Sequence, residues 1–379
     1  MTDPLGPRSE ARKRRSSGAV ADFDPQRLLL ARRLRRFQQS NLAERSGLTA
    51  AAISQYERSS ARPTHAALAQ LALALGVPPE FFRLSQPIKS VPVASAYFRS
   101  LRATPSVSRE QALAFAEIAL AVVEVLEQYV EFPSAVDIAD PLNPESPNSR
   151  ITLAARRTRS RLGLAGGPIP HVIRLLESIG ILVLRLPDDL DARVDAFSTE
   201  AGARALVLLS PLKNDRARSR FDAAHELGHL VMHNGIEPGS KIVEQQANRF
   251  ASEFLAPTDE LLSDLPRKID WDALLAAKRK WGISLKALVY RAHEIGLWGE
   301  HAYRRANQHL AAQGFPEQGP LGPPESPSML GSAMDLLSAT GVDCDQLSKV
   351  SRLPLDEVAS VLDAGSETRL RLQVDPNSP

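Results

Sequence analysis

Two histidines at helical spacing, with a glutamate between them and a second glutamate further along the chain, carry the clearest chemical signal in this chain. His225, Glu226 and His229 form a His-Glu-x-x-His motif, and Glu244 follows fifteen residues beyond the second histidine. Residues four apart share one helix face, so the two imidazoles would project side by side at the separation that one tetrahedral metal ion needs. Glu226 then falls beside the open position of the metal, where it can take a proton from a water that attacks a carbonyl. The spacing therefore predicts a zinc site suited to hydrolysis, with Glu226 as the base.

Several residues compete with Glu244 for the third ligand position. Glu237 lies in a Pro/Gly loop, and Glu253 lies on the far side of the second helix from Glu244. His233 continues the i, i+4 row, but that row rotates by about 40° every eight residues, so His233 points away from the metal. Glu244 is therefore the preferred ligand beside His225 and His229. We interpret His233 as a residue that supports a ligand, or as a helix C-terminal histidine whose charged form suits the helix dipole.

Helix and strand signals around the motif predict the elements that hold these groups. Asn234-Gly235 is a stop signal after the motif helix, and a second helix is expected from about Val243 to Leu255, ended by Pro257. Ahead of the motif, three short apolar segments predict a small sheet: Ile181–Leu184, Val194–Ser198 and Arg204–Leu209. An exposed edge of such a sheet can hold a peptide extended across the metal.

Five short helices are predicted between residues 25 and 83. Gln39–Arg45 forms the second, Gly47 makes the turn, and Thr49 is a natural N-cap for a third helix that runs to about Tyr56. A glycine between two short helices, followed by a cap and a helix of small and amide residues, is the helix-turn-helix arrangement. The other helices are marked by apolar or capping residues: Leu30, Leu34 and Phe37, then Thr64, Leu68, Leu71 and Leu75, then Phe81 and Phe82.

This segment resembles the XRE (Cro/C1-type) DNA-binding family. The resemblance is carried by Gln39, Leu42, Ala43, Gly47, Ile53, Ser54, Glu57 and Pro63. It implies that the third helix enters the major groove of a double-stranded operator, and that a homodimer binds paired half-sites. The candidate base readers are Gln39, Thr49, Ala50, Ala51, Ser54 and Gln55, and the candidate phosphate contacts are Arg45 and Arg58. Ser59-Ser60 stands where the family usually has glycine, and serine tolerates the left-handed turn at a cost of about 1 kcal/mol.

Basic charge is concentrated at the N-terminal end. The 379-residue chain has a net charge of +2, but residues 1–62 hold thirteen Lys/Arg against six Asp/Glu. Part of this charge, Arg12–Arg15, lies in a leader over residues 1–24 that is expected to be disordered. The basic bias favours nucleic acid as the partner of the helical segment.

The cysteine count and the hydropathy of the sequence indicate the cellular compartment of the protein. A single cysteine, Cys344, excludes intramolecular disulfides and cysteine-based metal sites. The most apolar stretch, residues 112–130, is broken by Glu117 and Glu124, and the polar N-terminus has no apolar core of a secretory signal. These observations predict a cytoplasmic protein without a membrane partner.

Composition divides the remainder of the chain. A helix is expected over Ser108–Glu131, and a Pro/Asn-rich break over Phe132–Ser149 is the clearest domain boundary. The C-terminal residues predict two or three small helices, which could form a second helix-turn-helix, a dimerisation element or, more commonly, a small helical cap. The expected divisions are a reader domain at 25–83, a helical linker region at 84–149, a metal domain at 150–312, a Pro/Gly linker at 313–328 and the helical C-terminal region at 329–379.

The metal domain resembles the ImmA/IrrE metallopeptidase family. The residues that carry this resemblance are Arg218-x-x-Phe-Asp-x-Ala-His-Glu-Leu-Gly-His-Leu230 and Glu244-x-x-Ala-Asn-x-Phe-Ala251. The resemblance implies that His225, His229 and Glu244 hold zinc, that Glu226 is the base, and that the protein regulates transcription by cleaving a partner such as a repressor. Ala256 stands where the family more often has methionine, which alters packing rather than chemistry.

The expected architecture is therefore multidomain and mainly α with an α+β part. A five-helix lambda-repressor-like domain precedes a zincin-like α+β domain with a small sheet and a small helical C-terminal region. Two functions follow. In the first, the domain is a zinc endopeptidase that cuts a regulatory protein, such as a repressor or toxin, or this chain itself. In the second, the protein is a non-proteolytic transcription factor or antitoxin whose metal domain senses a ligand or partner.

Overall fold

The chain folds into two compact units. A computed structural model describes residues 18–83, 88, 90–92, 96–98, 104–188, 190–191, 193–201, 204–211, 215–237 and 239–366. The first unit comprises the described residues up to Val91, together with Pro105–Val130 and Leu336–Val361. The second comprises the described residues of Pro92–Thr104, Glu131–Asp335 and those from Leu362 onward. Neither unit is therefore a single continuous segment of the chain.

The first unit contains the expected helical segment. Its elements are α1 (Pro25–Leu34), α2 (Gln39–Ser46), α3 (Ala50–Glu57), α4 (His65–Leu75), a short 3₁₀ helix (Pro79–Phe82), α5 (Ser106–Leu126) and α15 (Cys344–Ser351). Thr49 and Thr64 cap α3 and α4, since their hydroxyls accept from the backbone N–H groups of Ala52 at 3.1 Å and Ala67 at 3.2 Å. Gly47 takes the left-handed conformation between α2 and α3, where a side chain would be strained.

Two details of this unit depart from the sequence reading. Leu28 and Leu30 are buried in α1, whereas Leu34 and Phe37 are only half-buried. The expected leader is too long at its end, because Val20 and Phe23 are buried and Val20 N–H donates to the Pro63 carbonyl at 2.9 Å. The Phe23 ring packs against Tyr56 and Phe82, so its burial outweighs the polar composition around it. The basic run Arg12–Arg15 lies outside the described residues.

Helix α5 is a core element of the first unit rather than a linker. Its residues are buried on nearly every side, as expected for a helix that is apolar all round, and it packs against α1 and α15. Glu117 is buried within it, where it accepts a hydrogen bond from Val91 N–H at 2.9 Å and lies 3.7 Å from Arg33. Burial raises the pKa of Glu117, while these two contacts oppose that rise.

Arg27 fixes the C-terminal helix α15 to the N-terminal helices. Its guanidinium is almost fully buried and donates to the carbonyls of Phe81 at 3.1 Å, Arg352 at 3.0 Å and Ser351 at 3.2 Å. Burial lowers the pKa of Arg27 to about 10, which leaves it charged at neutral pH. The expected small C-terminal helices are present, and at least α15 belongs to the core of this unit.

The second unit contains a four-stranded sheet and a set of helices around it. The strands are β1 (Ala96–Phe98), β2 (Leu182–Arg185), β3 (Ala196–Ala201) and β4 (Arg204–Leu209), in the order β1-β3-β4-β2. The β2–β4 pair is parallel and the others are antiparallel. The helices are α6 (Asn148–Arg161), α7 (Val172–Ser178), α8 (Arg216–Met232), α9 (Lys241–Leu255), α10 (Thr258–Leu261), α11 (Trp271–Trp281), α12 (Leu285–Glu294) and α13 (Glu300–Gln313). Two C-terminal helices, α14 (Met329–Ser338) and α16 (Leu355–Ala364), have residues in both units.

Strand β1 was missed by the sequence reading, which placed residues 84–149 in a helical linker region. The Pro/Asn-rich break was also misjudged, because Ile138 and Leu142 join the core of the second unit. The backbone of that segment follows the end of α8, where Leu142 N–H donates to the Met232 carbonyl at 2.9 Å. An irregular segment that supplies buried apolar side chains is part of a domain, whatever its composition.

Two glutamates anchor the expected Pro/Gly linker to the second unit. Glu325 is buried and accepts from Val172 N–H at 2.7 Å, at the start of α7, and from the Arg220 guanidinium. Glu317 caps α12 by accepting from Leu285 N–H at 2.8 Å. Negative side chains at helix N-termini satisfy N–H groups that have no partner within the helix. The segment is therefore held at two points by hydrogen bonds that its composition does not reveal.

None of the helices in the described part of the chain has the length and apolar character that a membrane crossing requires.

Candidate metal centre

Two adjacent helices of the second unit position the candidate ligands. Asp215 caps α8 by accepting from Arg218 N–H at 2.7 Å, and Ser240 caps α9. The helices pack closely at Gly228, inside the His-Glu-x-x-His motif. A Cβ atom there would lie 3.0 Å from the Phe250 ring, tighter than an ordinary contact, so glycine favours the close approach of α9.

His225, His229 and Glu244 form one cluster. The Nε2 atoms of the histidines lie 3.1 Å apart, and the Glu244 carboxylate lies 3.3 Å from His225 Nε2 and 3.5 Å from His229 Nε2. One ligand atom from each residue lies within 4.8 Å of the others. Two imidazole nitrogens and a carboxylate are the donor set of zinc sites that keep an open fourth position. The residues therefore fit a zinc ion.

Hydrogen bonds behind the histidines direct Nε2 of each toward the cluster. Asn248 Oδ1 lies 3.1 Å from His225 Nδ1, and because this oxygen only accepts, the proton of His225 belongs on Nδ1. His229 Nδ1 lies 3.0 Å from His233 Nδ1, and His233 Nε2 lies 3.0 Å from Gln246 Oε1. With protons on His229 Nδ1 and His233 Nε2, both bonds are satisfied and both ligand Nε2 atoms keep a lone pair for a cation.

Electrostatics agree with this proton arrangement. Burial, reinforced by the neighbouring His229, lowers the pKa of His233 to about 4, so His233 is neutral at physiological pH. It cannot act as the charged histidine that the helix C-terminus would favour, which corrects one of the two sequence interpretations. Burial alone would raise the pKa of Glu244, but hydrogen bonds and charge from His225 and His229 lower it to about 2 when their Nε2 atoms carry the protons that a bound cation would displace. Glu244 is therefore ionised, as a metal ligand must be.

Glu226 lies on the same buried stretch of α8 as the two histidines. Its side chain is fully buried, and its Oε2 accepts a hydrogen bond from the Ser198 hydroxyl at 2.7 Å. Ser198 comes from β3, so the sheet and the motif helix meet at this carboxylate. The sequence reading placed Ser198 in a strand and gave it no role, since one serine in an apolar segment carries no signal of its own.

Tyr97 of β1 is a further site residue that the sequence reading missed. Its ring stacks on the His229 imidazole, with centroids 4.8 Å apart and planes inclined by 14°. Its hydroxyl donates to the carbonyl oxygens of His233 and, at 3.2 Å, of Ile236. Burial raises the pKa of Tyr97, so the phenol stays protonated and remains a donor. The only sequence signal was an aromatic residue 128 positions before the motif, too distant to be interpreted.

The alternative ligands lie elsewhere. Glu237 is exposed in the loop after α8. Glu253 is buried, but its carboxylate binds Arg156 at 2.8 Å, Arg291 at 2.9 Å and the Thr258 hydroxyl at 2.6 Å. It is a structural carboxylate that holds α6, α9 and α12 together.

A cavity of about 1060 Å³ opens beside these helices within the second unit. Its wall includes Phe221 and Asn248, which contact His225, and aromatic residues of later helices such as Tyr290 and Tyr303. A cavity of this size and mixed polarity can hold a small organic ligand or several side chains of a peptide.

The candidate DNA-contacting residues lie on the surface of α2 and α3. Exposed side chains belong to Arg45, Thr49, Ala50, Ala51, Gln55 and Arg58, while Gln39 and Ser54 are partly exposed. Several of these residues also have structural contacts: Thr49 caps α3, the Gln39 amide donates to Glu57 at 2.7 Å, and the Arg45 guanidinium lies 4.7 Å from the centroid of the Phe37 ring. Ser59 has a φ of 60°, so the left-handed turn occurs without the usual glycine.

Two comparisons with known families agree with the two units. Residues 28–82 match the helix-turn-helix family, and residues 176–293 match the IrrE N-terminal-like domain of the M78 peptidases. No curated protein matches the chain. The expected fusion is thus confirmed: a helix-turn-helix domain of XRE type stands before an α+β domain of a metallopeptidase family.

Proposed function

We propose that this chain, which joins a helix-turn-helix domain to an IrrE-like domain, is a transcriptional regulator with a zinc-dependent endopeptidase. The peptidase would hydrolyse a peptide bond in a regulatory protein or in this chain itself when a signal arrives. The observation that carries this proposal is the convergence of His225, His229 and Glu244 within 4.8 Å, with Glu226 between the two histidines on the same helix. This set of groups in this order is the one that zinc-dependent hydrolysis uses.

Each residue of the cluster has a defined part in such a reaction. His225, His229 and Glu244 would hold zinc, which polarises a carbonyl and makes a water more acidic when it is bound. Glu226 would accept the proton of the attacking water and pass it to the leaving amine. The Ser198 hydroxyl, 2.7 Å from Glu226 Oε2, fixes the orientation of that carboxylate. Asn248 and His233 hold the imidazoles in the tautomers that leave Nε2 free for the ion.

Glu226→Gln tests the peptidase. The full chain and the variant would be expressed in a host strain deleted for this protein, and zinc content and protein abundance across the proteome would be compared. We expect equal zinc in both and the loss of one regulatory protein, with matching fragments, in cells with the unmodified chain only. Glu237→Gln is the matched control, because Glu237 is an exposed glutamate eleven positions later. Identical proteomes under every stress applied would exclude the peptidase.

For the first unit we propose binding to a double-stranded operator as a homodimer, with α3 in the major groove. The surface position of Arg45, Ala51, Gln55 and Arg58 supports this proposal, since base and phosphate contacts require exposed groups. Fluorescence anisotropy with DNA from the chain's own promoter region tests it. Affinity should fall steeply with salt, as counterions are released from the phosphates. A salt-independent interaction would contradict the assignment.

A second function is favoured by two observations. Glu226 is fully buried, and the cavity of about 1060 Å³ next to His225 is large enough for a small ligand. Both suit a sensor domain whose output is DNA occupancy alone. The Glu226→Gln comparison separates the two functions, because a sensor would regulate its promoter equally well with either residue.

A further inference from the structure

The edge of the sheet nearest the metal cluster is occupied by the chain itself. Strand β1 pairs antiparallel with β3, with Ala96 opposite Thr199, Tyr97 opposite Ser198 and Phe98 opposite Phe197. Among the residues that the structure describes, β1 stands at the end of the sheet and pairs with β3 alone. An extended peptide binds a sheet by adding a strand at such an edge. The place beside β3, next to the metal cluster, is therefore filled by β1 and not open to a peptide strand.

The side chains of this pair face the candidate reaction centre. Directly opposite residues of an antiparallel pair point to the same face of the sheet. Ser198 uses that face to donate to Glu226, and Tyr97 uses it to stack on His229 and to donate to the His233 carbonyl. The strand thus places its aromatic side chain directly against a metal ligand.

With β1 in place, the centre is covered on the side that faces the sheet, while Glu244 on α9 keeps a side-chain exposure of 18%. The side chains of His225, Glu226 and His229 are fully buried, and Tyr97 is only 6% exposed. A substrate carbonyl must come within bonding distance of the ion and a water must reach Glu226, so part of the cover has to leave first. Strand β1 is the element best suited to leave, because it has three residues and one neighbouring strand.

We propose that β1 is a built-in competitor of the peptide substrate, and that it must leave β3 before the peptidase can act. This inference rests on the proposed peptidase function. A substrate segment that replaces β1 is extended and carries an aromatic residue, best a tyrosine, opposite Ser198. There the ring stacks on His229 and the hydroxyl reaches the carbonyls of His233 and Ile236. The substrate class is thus a strand-forming segment with tyrosine at one fixed position.

Chain connectivity gives this competitor a source of control. The segment Pro92–Thr104 belongs to the second unit, whereas the residues up to Val91 and from Pro105 to Val130 belong to the first. Both ends of the segment that contains β1 therefore continue into the DNA-binding unit. If an event in the first unit released β1 through these chain connections, DNA occupancy and peptidase activity would be linked.

Binding of a synthetic copy of the strand tests the proposal. The probe is a fluorescein-labelled peptide with the sequence of residues 92–104, and its anisotropy would be measured with full chains that carry Glu226→Gln, so that no cleavage intervenes. Tyr97→Ala weakens the internal strand and should raise affinity for the probe about ten-fold or more, because the binding-competent fraction increases. The matched control is Tyr129→Ala, which removes an exposed tyrosine outside the second unit. A probe with alanine at its tyrosine should not bind.

A reversible lock keeps the test independent of how well Tyr97→Ala folds. Ala96 and Thr199 are directly opposite and point away from the metal face, so cysteines there can form a disulfide across the pair. The variant is Ala96→Cys with Thr199→Cys and Cys344→Ser, and mass spectrometry follows the bond. We expect the oxidised form to bind the probe at least about ten-fold more weakly than the reduced form. The Cys344→Ser variant alone should bind the probe equally well under oxidising and reducing conditions.

Equal probe affinity in the oxidised and reduced lock, with the disulfide formed, would overturn the proposal. So would equal affinity in Tyr97→Ala, Tyr129→Ala and the parent chain. Neither readout needs hydrolysis, so they are independent of the proteome comparison above. A chain that shows the competition but cleaves nothing would keep β1 as an occupant of a peptide-binding edge and would reject the peptidase alone.

Discussion

Helices α3 and α8 carry the two candidate functional surfaces, and they are built in opposite ways. In α3 only Ile53 is buried, and the groups that could contact DNA point to solvent. In α8 every residue from Asp222 to Met232 is buried, and that stretch includes the whole His-Glu-x-x-His motif. A surface that docks on a large rigid partner can consist of side chains that the fold does not need. A site that holds an ion and excludes water must consist of side chains that are also part of the core.

The origin of the supporting contacts differs in the same way. In the helix-turn-helix domain, Thr49 caps its own helix, α3. Around α8, the supporting groups come from three other elements: Tyr97 from β1, Ser198 from β3, and Gln246 and Asn248 from α9. Substitutions in α3 should therefore change DNA recognition and leave stability almost intact. Substitutions around α8 should change stability and metal binding together.

The largest effect is expected from Arg220→Met. Arg220 and Glu325 form a buried ion pair, and the guanidinium also donates to the Ile169 carbonyl at 2.7 Å. Removal of one partner of a buried pair lowers the free energy of unfolding by about 3–5 kcal/mol. We expect a value at the lower end of this range, because two backbone N–H groups of α7 still donate to Glu325 in the variant. Urea unfolding followed by tryptophan fluorescence measures it, because Trp271, Trp281 and Trp298 all lie in the second unit.

The control for this measurement is Arg267→Met, an exposed arginine for which we expect a change within about 0.5 kcal/mol. Similar urea midpoints for both variants would show that the buried ion pair of Arg220 and Glu325 does not contribute the unfolding free energy that we assign to it. The contrast between α8 and α3 would then be lost.

Next in size is the effect of Gln55→Ala on DNA recognition. Gln55 is exposed on α3, and loss of a side chain that reads a base costs about 1–3 kcal/mol on the preferred operator. Arg58→Ala should instead weaken all sequences alike and lower the salt slope by about one. Competition anisotropy with operator variants separates the two patterns. Uniform weakening by both variants would remove Gln55 from the set of base readers, and a fall in stability with either would contradict the contrast drawn here.

An effect of similar size is expected at the candidate metal site from Asn248→Ala. Without the acceptor behind Nδ1, His225 is less well oriented, and such supporting residues typically contribute 10–100-fold to metal affinity. Zinc competition with a chromophoric chelator measures the change. Gln245→Ala serves as the control, since this neighbouring glutamine on α9 is exposed. Unchanged zinc affinity in Asn248→Ala would mean that the helices alone orient the imidazole.

The smallest effect on stability is expected at Thr49, where the contrast between α3 and α8 is weakest. Thr49 is exposed as a candidate reader but also caps α3, so Thr49→Ala should cost about 1 kcal/mol of local stability. Thr49→Ser keeps the cap and should restore it. Amide hydrogen exchange at Ala52, whose N–H donates to the Thr49 hydroxyl, reports the loss directly. Unaltered exchange in the alanine variant would leave Thr49 as a reader only.

Signals contained in short segments were predicted well from the sequence. Thr49 and Thr64 are N-caps, Gly47 adopts the left-handed turn, and β4 has the bounds expected for it. The expected ligands His225, His229 and Glu244 do converge, because helical spacing fixes which side chains share a face. Predictions that rested on composition were less successful. The leader, the linker helix and the Pro/Gly segment each supply buried residues to a core, such as Phe23, Glu117 and Glu325.

The sequence by itself determined the two domain types, the convergence of His225, His229 and Glu244, and the face of α3 that is exposed. Each of these depends on residues a few positions apart, whose geometry the hydrogen-bonded backbone fixes locally. Only the tertiary structure decided that Tyr97 covers His229, that Ser198 holds Glu226, and that α15 packs against α5. Those contacts join residues 28 or more positions apart, and a single tyrosine or serine becomes meaningful only when the packed core brings a partner within reach.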